Sequence, residues 1–353
     1  MVQIEVEIII LMSFIRYFIR ELRLAVINYD RNRFIIHDLK PYLISGNFYN
    51  SPSFDVITCK SWRSEIKETT FASKNKSNQY AKIISILFNN LFCYKIDNNS
   101  TLFRGVDIVI SSSKTEFKVF DYQDRKVLTR YKSLKKMKMV EENKKKFSNF
   151  FNVPATFSVD YNSLFIIEEF ITKQEFKAEI AIDYVLKGIS KYIEANGEVA
   201  HIEDKRYRDE CVYFESRFGY SSLLETNDTC MIYCFTHGDL WASNIIFDGK
   251  DYYITDFERA GDRYFLFDFF LFIFTEWQLN DNARLIEKYF AGEYDNVLRV
   301  MFNNVHSHFY CQKKDFYFVV FLTAITSERW KDYNEIDNKI IFFISNYIPS
   351  YNA

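Results

Sequence analysis

The sequence predicts an α+β fold in which a small antiparallel sheet precedes a mainly helical region. Between residues 105 and 132, three short runs rich in β-branched and aromatic residues are separated by polar turns. The stretch 134–151 has no Gly or Pro and carries apolar residues at helical spacing. Two long aromatic and apolar runs further along, 265–277 and 316–330, have the spacing of buried helices.

The predicted elements follow one another through short connections. The strands are expected at Gly105–Ser111, Phe117–Tyr122, Lys126–Lys132 and Ser163–Phe170, with the helix Leu134–Phe151 before the last of them. Pro154 follows the end of that helix, where a residue that cannot continue a helix is expected.

Composition and charge exclude several classes of protein. The chain has 353 residues, enough for one large or two moderate domains, and its formal net charge is −2. Such a charge gives no general attraction to nucleic acid or to an anionic membrane, and no nucleic-acid partner is expected. The 37 Phe and 25 Tyr are interpreted mainly as core residues. The uncharged runs 8–15 and 316–327 are too short to cross a bilayer, which takes about 20 apolar residues.

The cysteines and the first residues favour a cytoplasmic location. The six cysteines are scattered, and only Cys230 and Cys234 lie close together, with no second pair that would complete a zinc site. Reduced thiols in a cytosolic protein are therefore expected. Glu5 and Glu7 occupy positions where a secretory signal would be basic.

Residues 235–258 carry polar groups in an order that suits phosphoryl transfer. The run contains His237-Gly238-Asp239, then Asn244, then Asp256, each flanked by apolar residues. Phosphoryl transfer needs a group that orients the attacking hydroxyl, oxygen ligands for the metal on the triphosphate, and cations against the phosphates. Asp239 can supply the first of these, and Asn244 and Asp256 can supply the second.

Local structure is expected to bring these groups together. Residues 234–236 and 252–255 are predicted as short strands, with the turn signal Asp248-Gly249 between them. A hairpin-like return would place Asp256 beside Asn244. One carboxylate and one amide oxygen, with phosphate oxygens and water, form the ligand set that Mg²⁺ prefers. Asp239 would remain free of the metal as the proton acceptor.

The segment resembles the catalytic loop and metal-binding segment of the aminoglycoside phosphotransferase and choline kinase superfamily, which shares the protein-kinase fold. His237-Gly238-Asp239 and Asn244 stand where protein kinases carry H-R-D-x4-N, and Asp256-Phe-Glu258 stands where they carry D-F-G. The resemblance implies a two-lobed kinase-like fold, with ATP as co-substrate and Mg²⁺ as cofactor. It also implies an N-lobe over 101–172 and a C-lobe over 173–353, preceded by an extension, 1–100, of unclear role.

The resemblance assigns supporting roles to three further residues. Asp268, which precedes an apolar helix, is expected to brace the catalytic loop. His237 is expected to pack and to form hydrogen bonds beneath that loop. Glu258 is expected beside the metal, either touching it or supporting its ligands.

The resemblance also implies a nucleotide-binding set in the N-lobe. Lys132 is the predicted strand lysine beside the phosphates, with Arg130 as the alternative, and its predicted helix partner is Glu141, with Glu142 as the alternative. No glycine-rich loop is present, so the turn containing Ser112 and Ser113 is expected to hold the phosphates. Main-chain groups around Glu169 and Ile171 are expected to contact the purine edge. The sequence leaves open whether ATP or GTP is the donor.

Residues 12–24 show two faces at helical spacing. Apolar side chains lie on one face and Arg16, Arg20 and Arg23 on the other. The pattern is typical of a helix packed on a core, and equally of a basic helix on a membrane surface. Packing is the preferred interpretation, and a peripheral membrane contact is kept as the alternative.

The acceptor is the least determined part of the prediction. The aromatic runs 265–277 and 316–330, each ending near Glu and Trp, would suit a quaternary ammonium by cation–π attraction, as in choline kinases. The run 264–274 also resembles bacterial kinase-like enzymes of surface-glycan assembly. The sequence thus predicts a kinase acting on an alcohol hydroxyl of a small molecule, sugar or glycan. The alternatives are a choline, ethanolamine or aminoglycoside kinase and a nucleotide-binding pseudokinase.

Overall fold

A computed structural model describes most of the chain in two compact units. The described residues are 2–40, 43–51, 56–58, 93–99, 106–110, 115–196, 200–201, 204–219, 232–329 and 334–348. The first unit contains residues 1–139 and 154–173, and the second contains residues 140–153 and 174–353. The chain passes finally into the second unit after Lys173, one residue from the predicted start of the C-lobe.

The first unit contains a long helix and an eight-stranded antiparallel sheet in the order β3-β1-β2-β4-β5-β6-β8-β7. Its helices are α1 (Val2–Leu39) and the first part of α2 (Leu134–Phe147). The strands are β1 (Ile44–Ser51), β2 (Val56–Thr58), β3 (Cys93–Asn99), β4 (Val106–Ile110), β5 (Phe117–Asp121), β6 (Lys126–Arg130), β7 (Thr156–Asp160) and β8 (Phe165–Glu169).

The C-terminal end of α1 packs on one face of this sheet. The buried side chains of Ile35, Ile36 and Leu39 form a core cluster with sheet residues. The sheet members of the cluster include Phe117 and Val119 of β5, Leu128 of β6 and Ile167 of β8. Alternation along a strand puts these residues on one face, so burial against α1 fixes the register of the sheet.

Helix α1 and strands β1 to β3 therefore belong to the same unit as the predicted N-lobe. Strands β1 to β3 extend the sheet through the pairing of β2 with β4. No role was predicted for these residues, because strands interrupted by long polar stretches carry a weak periodic signal. The packing of 12–24 stays a prediction: Met12, Ile15 and Ile19 are 50%, 46% and 58% exposed, whereas Phe18 is half-buried.

The second unit is mainly helical, and its described strands are short. It contains the end of α2, then α3 (Ala178–Asn196), α4 (Asp204–Phe218), α5 (Phe267–Asn280), α6 (Arg284–Ala291), α7 (Asp295–Asn304), α8 (Lys314–Arg329) and α9 (Asn334–Tyr347). Its strands are β9 (Ala200–His201), β10 (Ile232–Thr236), β11 (Ile245–Phe247), β12 (Tyr252–Ile254) and β13 (Gly261–Tyr264). The predicted α+β class, with a sheet-bearing first part and a mainly helical second part, is confirmed.

Aromatic residues fill the core of this unit. Residues 267–276 of α5 are all buried. Phe270 lies 4.9 Å from Phe318 and 5.2 Å from Tyr289 between ring centroids, and Phe318 lies 4.8 Å from Phe343. The interpretation of the aromatic content as core material agrees with these contacts. No helix in the described ranges is both long enough and apolar enough to cross a membrane.

Candidate phosphotransferase site

A tight hairpin brings two of the predicted site residues to the same place. Ile245 of β11 pairs with Ile254 of β12. The Thr255 N–H then donates a hydrogen bond to the Asn244 main-chain oxygen at 3.0 Å. Asp256 follows Thr255 directly, so Asn244 and Asp256 lie side by side where the hairpin ends.

The strands of this hairpin differ in part from those predicted. Strands were predicted at 234–236 and 252–255 with a turn between them, whereas β12 pairs with β11, a strand that was not predicted. The run 234–236 belongs to β10, which pairs with β13. Asp248 fixes the turn, because its Oδ1 accepts the N–H of Lys250 at 2.8 Å and that of Asp251 at 2.7 Å.

The Asn244 side chain ties Asp239 to the end of the hairpin. Its Nδ2 donates to the Asp239 main-chain oxygen at 2.7 Å and to Asp239 Oδ2 at 3.1 Å. An amide group has two N–H donors and one oxygen acceptor, so this arrangement leaves the Asn244 Oδ1 available to a cation. Asp239 is half-buried, and its second carboxylate oxygen is not engaged by Asn244.

Asp256 has an unusual backbone conformation. Its φ of 71° and ψ of 67° lie in the left-handed region, which costs a residue other than glycine about 1 kcal/mol. Such strain persists only where the surrounding structure holds it. The bonds of Thr255 on one side and the turn Phe257–Arg259 on the other fix the direction of the Asp256 side chain.

The donor set fits a hard divalent cation that also binds phosphate. Asn244 Oδ1 and the Asp256 carboxylate are the oxygen ligands that such ions take, with the remaining positions left to phosphate and water. In the part of the chain that the structure describes, no three His, Cys, Asp or Glu side chains gather into a metal site. Glu258, half-buried in the turn after Asp256, lies close enough in sequence to support the ligands.

His237 is fully buried beneath the loop that carries Asp239. Its Nδ1 accepts the Asp239 N–H at 3.3 Å, and its Nε2 lies 3.1 Å from the Thr255 oxygen. The two contacts together require a neutral ring with the proton on Nε2. Burial lowers the pKa of His237, although the nearby carboxylates of Asp268, Asp239 and Asp256 oppose this effect. A neutral, buried ring is a support for the loop and a poor proton carrier.

Asp268 holds the main chain of the same loop. Its Oδ2 accepts the His237 N–H at 2.7 Å and its Oδ1 accepts the Gly238 N–H at 2.8 Å. Burial raises the pKa of Asp268, while the neighbouring His237 ring and the two N–H groups act in the opposite direction. The carboxylate is engaged on both oxygens and faces away from solvent, so its position is that of a brace.

Two charged residues that were not predicted stand behind Gly238. The Arg263 guanidinium forms a two-pronged ion pair with Glu328 of α8, in which Nε to Oε2 measures 2.8 Å and Nη2 contacts Oε1. Burial alone would lower the pKa of Arg263, but the Glu328 carboxylate outweighs it and raises the pKa. Gly238 has a φ of 72°, and an added Cβ would lie 2.3 Å from Arg263 Nη1. The glycine of the His-Gly-Asp run was the one sequence signal for this crowding.

The second half of α2 supports the segment that follows Asp256. Asn143 Nδ2 donates to the Phe257 oxygen at 3.0 Å in a buried position. The Phe147 ring lies 5.7 Å from the His237 ring and 5.8 Å from the Phe257 ring. These contacts fix both sides of the candidate site to one helix face. The sequence offered no signal for Asn143 beyond its place on a helix.

The lysine predicted to contact phosphate lies outside its predicted strand. Strand β6 ends at Arg130, and Lys132 is exposed in the connection to α2. Arg130, the alternative, forms an ion pair with Asp38 of α1 and belongs to the face that α1 covers. Glu141 is half-buried and Glu142 is exposed on α2. The pairing of Lys132 with Glu141 stays a prediction.

The other predicted nucleotide contacts are Ser112, Ser113, Glu169 and Ile171. Ser112 and Ser113 fall outside the described residues. The N–H of Glu169 donates to the Ala155 oxygen at 2.8 Å, so it is not available to a purine. Ile171 is buried, and no described residue forms a hydrogen bond with its main-chain N–H. Ile171 is thus the better placed of the two predicted contacts.

A group of half-buried rings, missed by the sequence analysis, lies beside this connection. Phe170 lies 6.0 Å from Phe120 and 5.1 Å from Tyr122, both edge to face. The alternation along β5 puts Phe120 on the sheet face opposite α1. Flat rings next to available main-chain groups are suitable neighbours for a purine base.

Comparison with known proteins supports the class that this geometry indicates. The model of the phosphotransferase enzyme family (APH) matches residues 231–301, which include β10, the hairpin, Asp256 and Asp268. The predicted resemblance to this superfamily is confirmed over that segment, and the match supports a phosphotransferase. Among curated proteins, nothing matches.

Several solved structures are similar to the chain at low identity. A choline/ethanolamine kinase family protein from Mesorhizobium loti has 12% identity and a TM-score of 0.39, with 69% of this chain and 90% of that chain covered. A putative aminoglycoside phosphotransferase from Ralstonia eutropha has 10% identity and a TM-score of 0.41, covering 68% and 84%. Choline kinase LicA from Streptococcus pneumoniae has 10% identity and a TM-score of 0.36, covering 69% and 93%.

Proposed function

We propose that the protein is an ATP- and Mg²⁺-dependent phosphotransferase that acts on an alcohol hydroxyl of a small molecule, sugar or glycan. The observation that carries the proposal is the meeting of Asp239, Asn244 and Asp256 at one end of the hairpin, with Asn244 bonded to Asp239. The family match over the same residues supports it.

Each of the three side chains has a distinct role in the proposed reaction. Asp239 orients the acceptor hydroxyl and takes its proton as the oxygen attacks the γ-phosphorus and ADP leaves. Asn244 Oδ1 and the Asp256 carboxylate hold the cation. Mg²⁺, when bound, offsets negative charge on the phosphates. His237 and Asp268 keep the Asp239 main chain fixed through their hydrogen bonds.

The first unit is proposed to bind the base and the phosphates. Ile171 offers a main-chain N–H, and Phe120 and Phe170 offer ring faces and edges beside it. The turn containing Ser112 and Ser113 is proposed to bind phosphate. Comparison of ATP with GTP in a binding titration decides which base is preferred.

The acceptor is proposed to be a sugar or glycan, with surface-polysaccharide assembly as the corresponding process. The two aromatic runs that suggested a choline site are core helices, and residues 267–276 of α5 are buried. Trp277, at the exposed end of α5, packs against Phe343 at 5.1 Å. A turnover screen with sugars, choline, ethanolamine and aminoglycosides separates these acceptors.

The proposal is tested with two variants and a control. Asp239→Asn should keep Mg²⁺-dependent ATP binding and lose turnover by about 10³-fold or more, since the proton acceptor is removed. Asp256→Ala should weaken ATP binding only when Mg²⁺ is present. Asp251→Asn, an exposed carboxylate of the same hairpin, should change neither. Turnover by Asp239→Asn at the wild-type rate rules out the proposed role.

A pseudokinase is the alternative from a different class. It predicts that the wild-type protein binds nucleotide and turns over no acceptor in the screen. The bond from Asn244 to the Asp239 carboxylate favours the enzyme, because a protein that only binds nucleotide has no need to orient that group.

A peripheral membrane contact is proposed for residues 12–24. The exposed apolar side chains of Met12, Ile15 and Ile19 share a helix with the exposed Arg16 and Arg20. The protein should cosediment with vesicles that contain anionic lipid, and a smaller fraction of it should cosediment with vesicles of neutral lipid. Equal recovery in the supernatant with both kinds of vesicle contradicts this contact.

A further inference from the structure

The sheet of the first unit has two faces with different coverage. Phe117, Val119 and Leu128 belong to the core formed with α1. Since side chains alternate along a strand, Lys118, Phe120 and Thr129 belong to the opposite face. We call this the second face. A nucleotide bound by the sheet has to use it, because α1 fills the other.

The second face also carries the ring group next to Ile171. Phe170 donates its N–H to the Arg125 oxygen at 2.8 Å, so this connection lies at the end of the sheet where β5 turns into β6. Phe120 lies near that end, and Lys118 lies two residues, roughly 7 Å, further along the same strand. A nucleotide with its base against Phe120 and Phe170 would extend its phosphates toward Lys118.

The other basic residues of β6 and the start of α2 have partners or lie in solvent. Arg130 pairs with Asp38 on the face that α1 covers. Lys136 Nζ lies 2.7 Å from Glu116 Oε1. Lys126 lies 3.8 Å from Asp124, and Lys132 is exposed beyond the end of β6. Each of these four residues is therefore either paired with a carboxylate or exposed to solvent.

Lys118 differs from all four. It is half-buried in β5, between Val109 of β4 and Thr129 of β6 in the strand register. Its side chain has no hydrogen bond or ion pair with any described residue. An anion bound at the second face would give this charge a partner.

We propose that Lys118 binds the phosphate oxygens of the nucleotide, in the role that the sequence analysis gave to Lys132. The inference rests on the proposed function and names the residue that supplies the cation. The cation that binds phosphate would then lie on β5, whereas it was predicted at the end of β6. The aliphatic part of the Lys118 side chain would pass over Thr129 to reach the phosphates.

The test compares binding of Mg²⁺-ATP with binding of adenosine by calorimetry. Lys118→Met keeps the apolar stem and removes the charge, so it should weaken Mg²⁺-ATP binding by about tenfold to hundredfold and leave adenosine binding unchanged. Lys118→Arg should recover most of the Mg²⁺-ATP affinity. Lys126→Met, on the face that α1 covers, is the matched control and should bind both ligands as the wild type does.

The outcomes separate the inference from the function on which it rests. Wild-type Mg²⁺-ATP affinity in Lys118→Met overturns the inference, as does equal weakening of both ligands, which would indicate a structural role. A selective loss of Mg²⁺-ATP binding in Lys132→Met, with none in Lys118→Met, restores the sequence-based assignment. Failure of the wild-type protein to bind either ligand overturns the proposed function itself.

Discussion

Gly238 occupies a position of the catalytic loop that has no room for a side chain. Its φ is 72°, and its missing Cβ would lie 2.3 Å from Arg263 Nη1 and 2.4 Å from the Arg259 oxygen. The first neighbour is held by its ion pair with Glu328 and the second belongs to the main chain, so neither can move freely. The loop and the Arg263–Glu328 pair therefore depend on one another.

We expect Gly238→Ala to destabilise the protein and to reduce turnover. Backbone strain and the collision should together lower the free energy of unfolding by roughly 2–4 kcal/mol. Gly219→Ala is the matched control, since Gly219 has a φ of 77° and no atom within 4 Å of its missing Cβ. Urea unfolding should show a loss of only about 1 kcal/mol for the control. Equal losses in the two variants would show that the collision has no effect.

The buried imidazole of His237 should make stability depend on pH. Burial lowers the pKa of His237 below the value of about 6.5 expected in the unfolded chain. As the pH falls below about 6.5, the unfolded chain binds a proton that the folded protein does not, so the free energy of unfolding falls. One proton gives at most about 1.4 kcal/mol per pH unit.

Urea unfolding of the wild type and of His237→Gln between pH 7.5 and pH 5.5 measures this contribution. The wild type should lose stability toward pH 5.5 more steeply than the variant. The raised pKa of Asp268 has the opposite sign: its contribution is complete at acidic pH and is lost as the pH rises through its folded-state pKa. Parallel curves for the two proteins would contradict a depressed His237 pKa.

The site residues were predictable where short-range geometry decides their position. Asp239, Asn244 and Asp256 lie within 18 residues of one another in the sequence, and a turn signal separates the last two. The basic residue proposed to bind phosphate was harder to predict, because Lys118 and Arg130 are distinguished only by which face of the sheet α1 covers. That information comes from residues about 80 positions earlier in the chain.

Helix α2 supports the candidate site through its second half. Its second half bonds to the metal-binding segment through Asn143 and packs against His237 through Phe147. The sequence predicted this helix from 134 to 151, and it ends at Phe147. The hairpin strand Ile245–Phe247 was missed because three residues are too few to show a strand period.

We expect Asn143→Ala to loosen the metal-binding segment. The change leaves the buried Phe257 oxygen without its donor, which should lower the free energy of unfolding by about 1–3 kcal/mol. The Mg²⁺ concentration for half-maximal turnover should rise, since Asp256 directly precedes Phe257. Asn149→Ala, an exposed residue after the same helix, serves as the control. An unchanged Mg²⁺ requirement would separate Asn143 from the site.

The sequence predicted the architecture of the second compact unit better than that of the first. The helical unit was expected, since long apolar runs at helical spacing identify core helices such as α5. The eight-stranded sheet was not, because its first three strands come from residues 44–99 and join the predicted strands only through the pairing of β2 with β4. Pairing between distant segments depends on three-dimensional contacts that no local pattern records.

We expect the packing of α1 on the sheet to be essential for folding of the first unit. Ile35 is fully buried in the core cluster, so Ile35→Ala should lower the free energy of unfolding by about 2–5 kcal/mol. Phe34, the preceding residue, is 50% exposed, and Phe34→Ala should change it by much less. Urea unfolding of both variants measures the difference. Similar small effects would show that α1 is dispensable.

The pairing of β4 on both of its sides affects where the gene can be shortened. A recombinant fragment starting at residue 101 would begin beyond β1, β2 and β3 and would lack α1. The edge of β4 that pairs with β2 would then carry unpaired main-chain N–H and C=O groups, and the apolar surface around Phe117 would be exposed to water. Unpaired strand edges of this kind pair with one another between molecules. Expression trials guided by the kinase-like region alone should therefore yield insoluble material, and keeping the first hundred residues should prevent it.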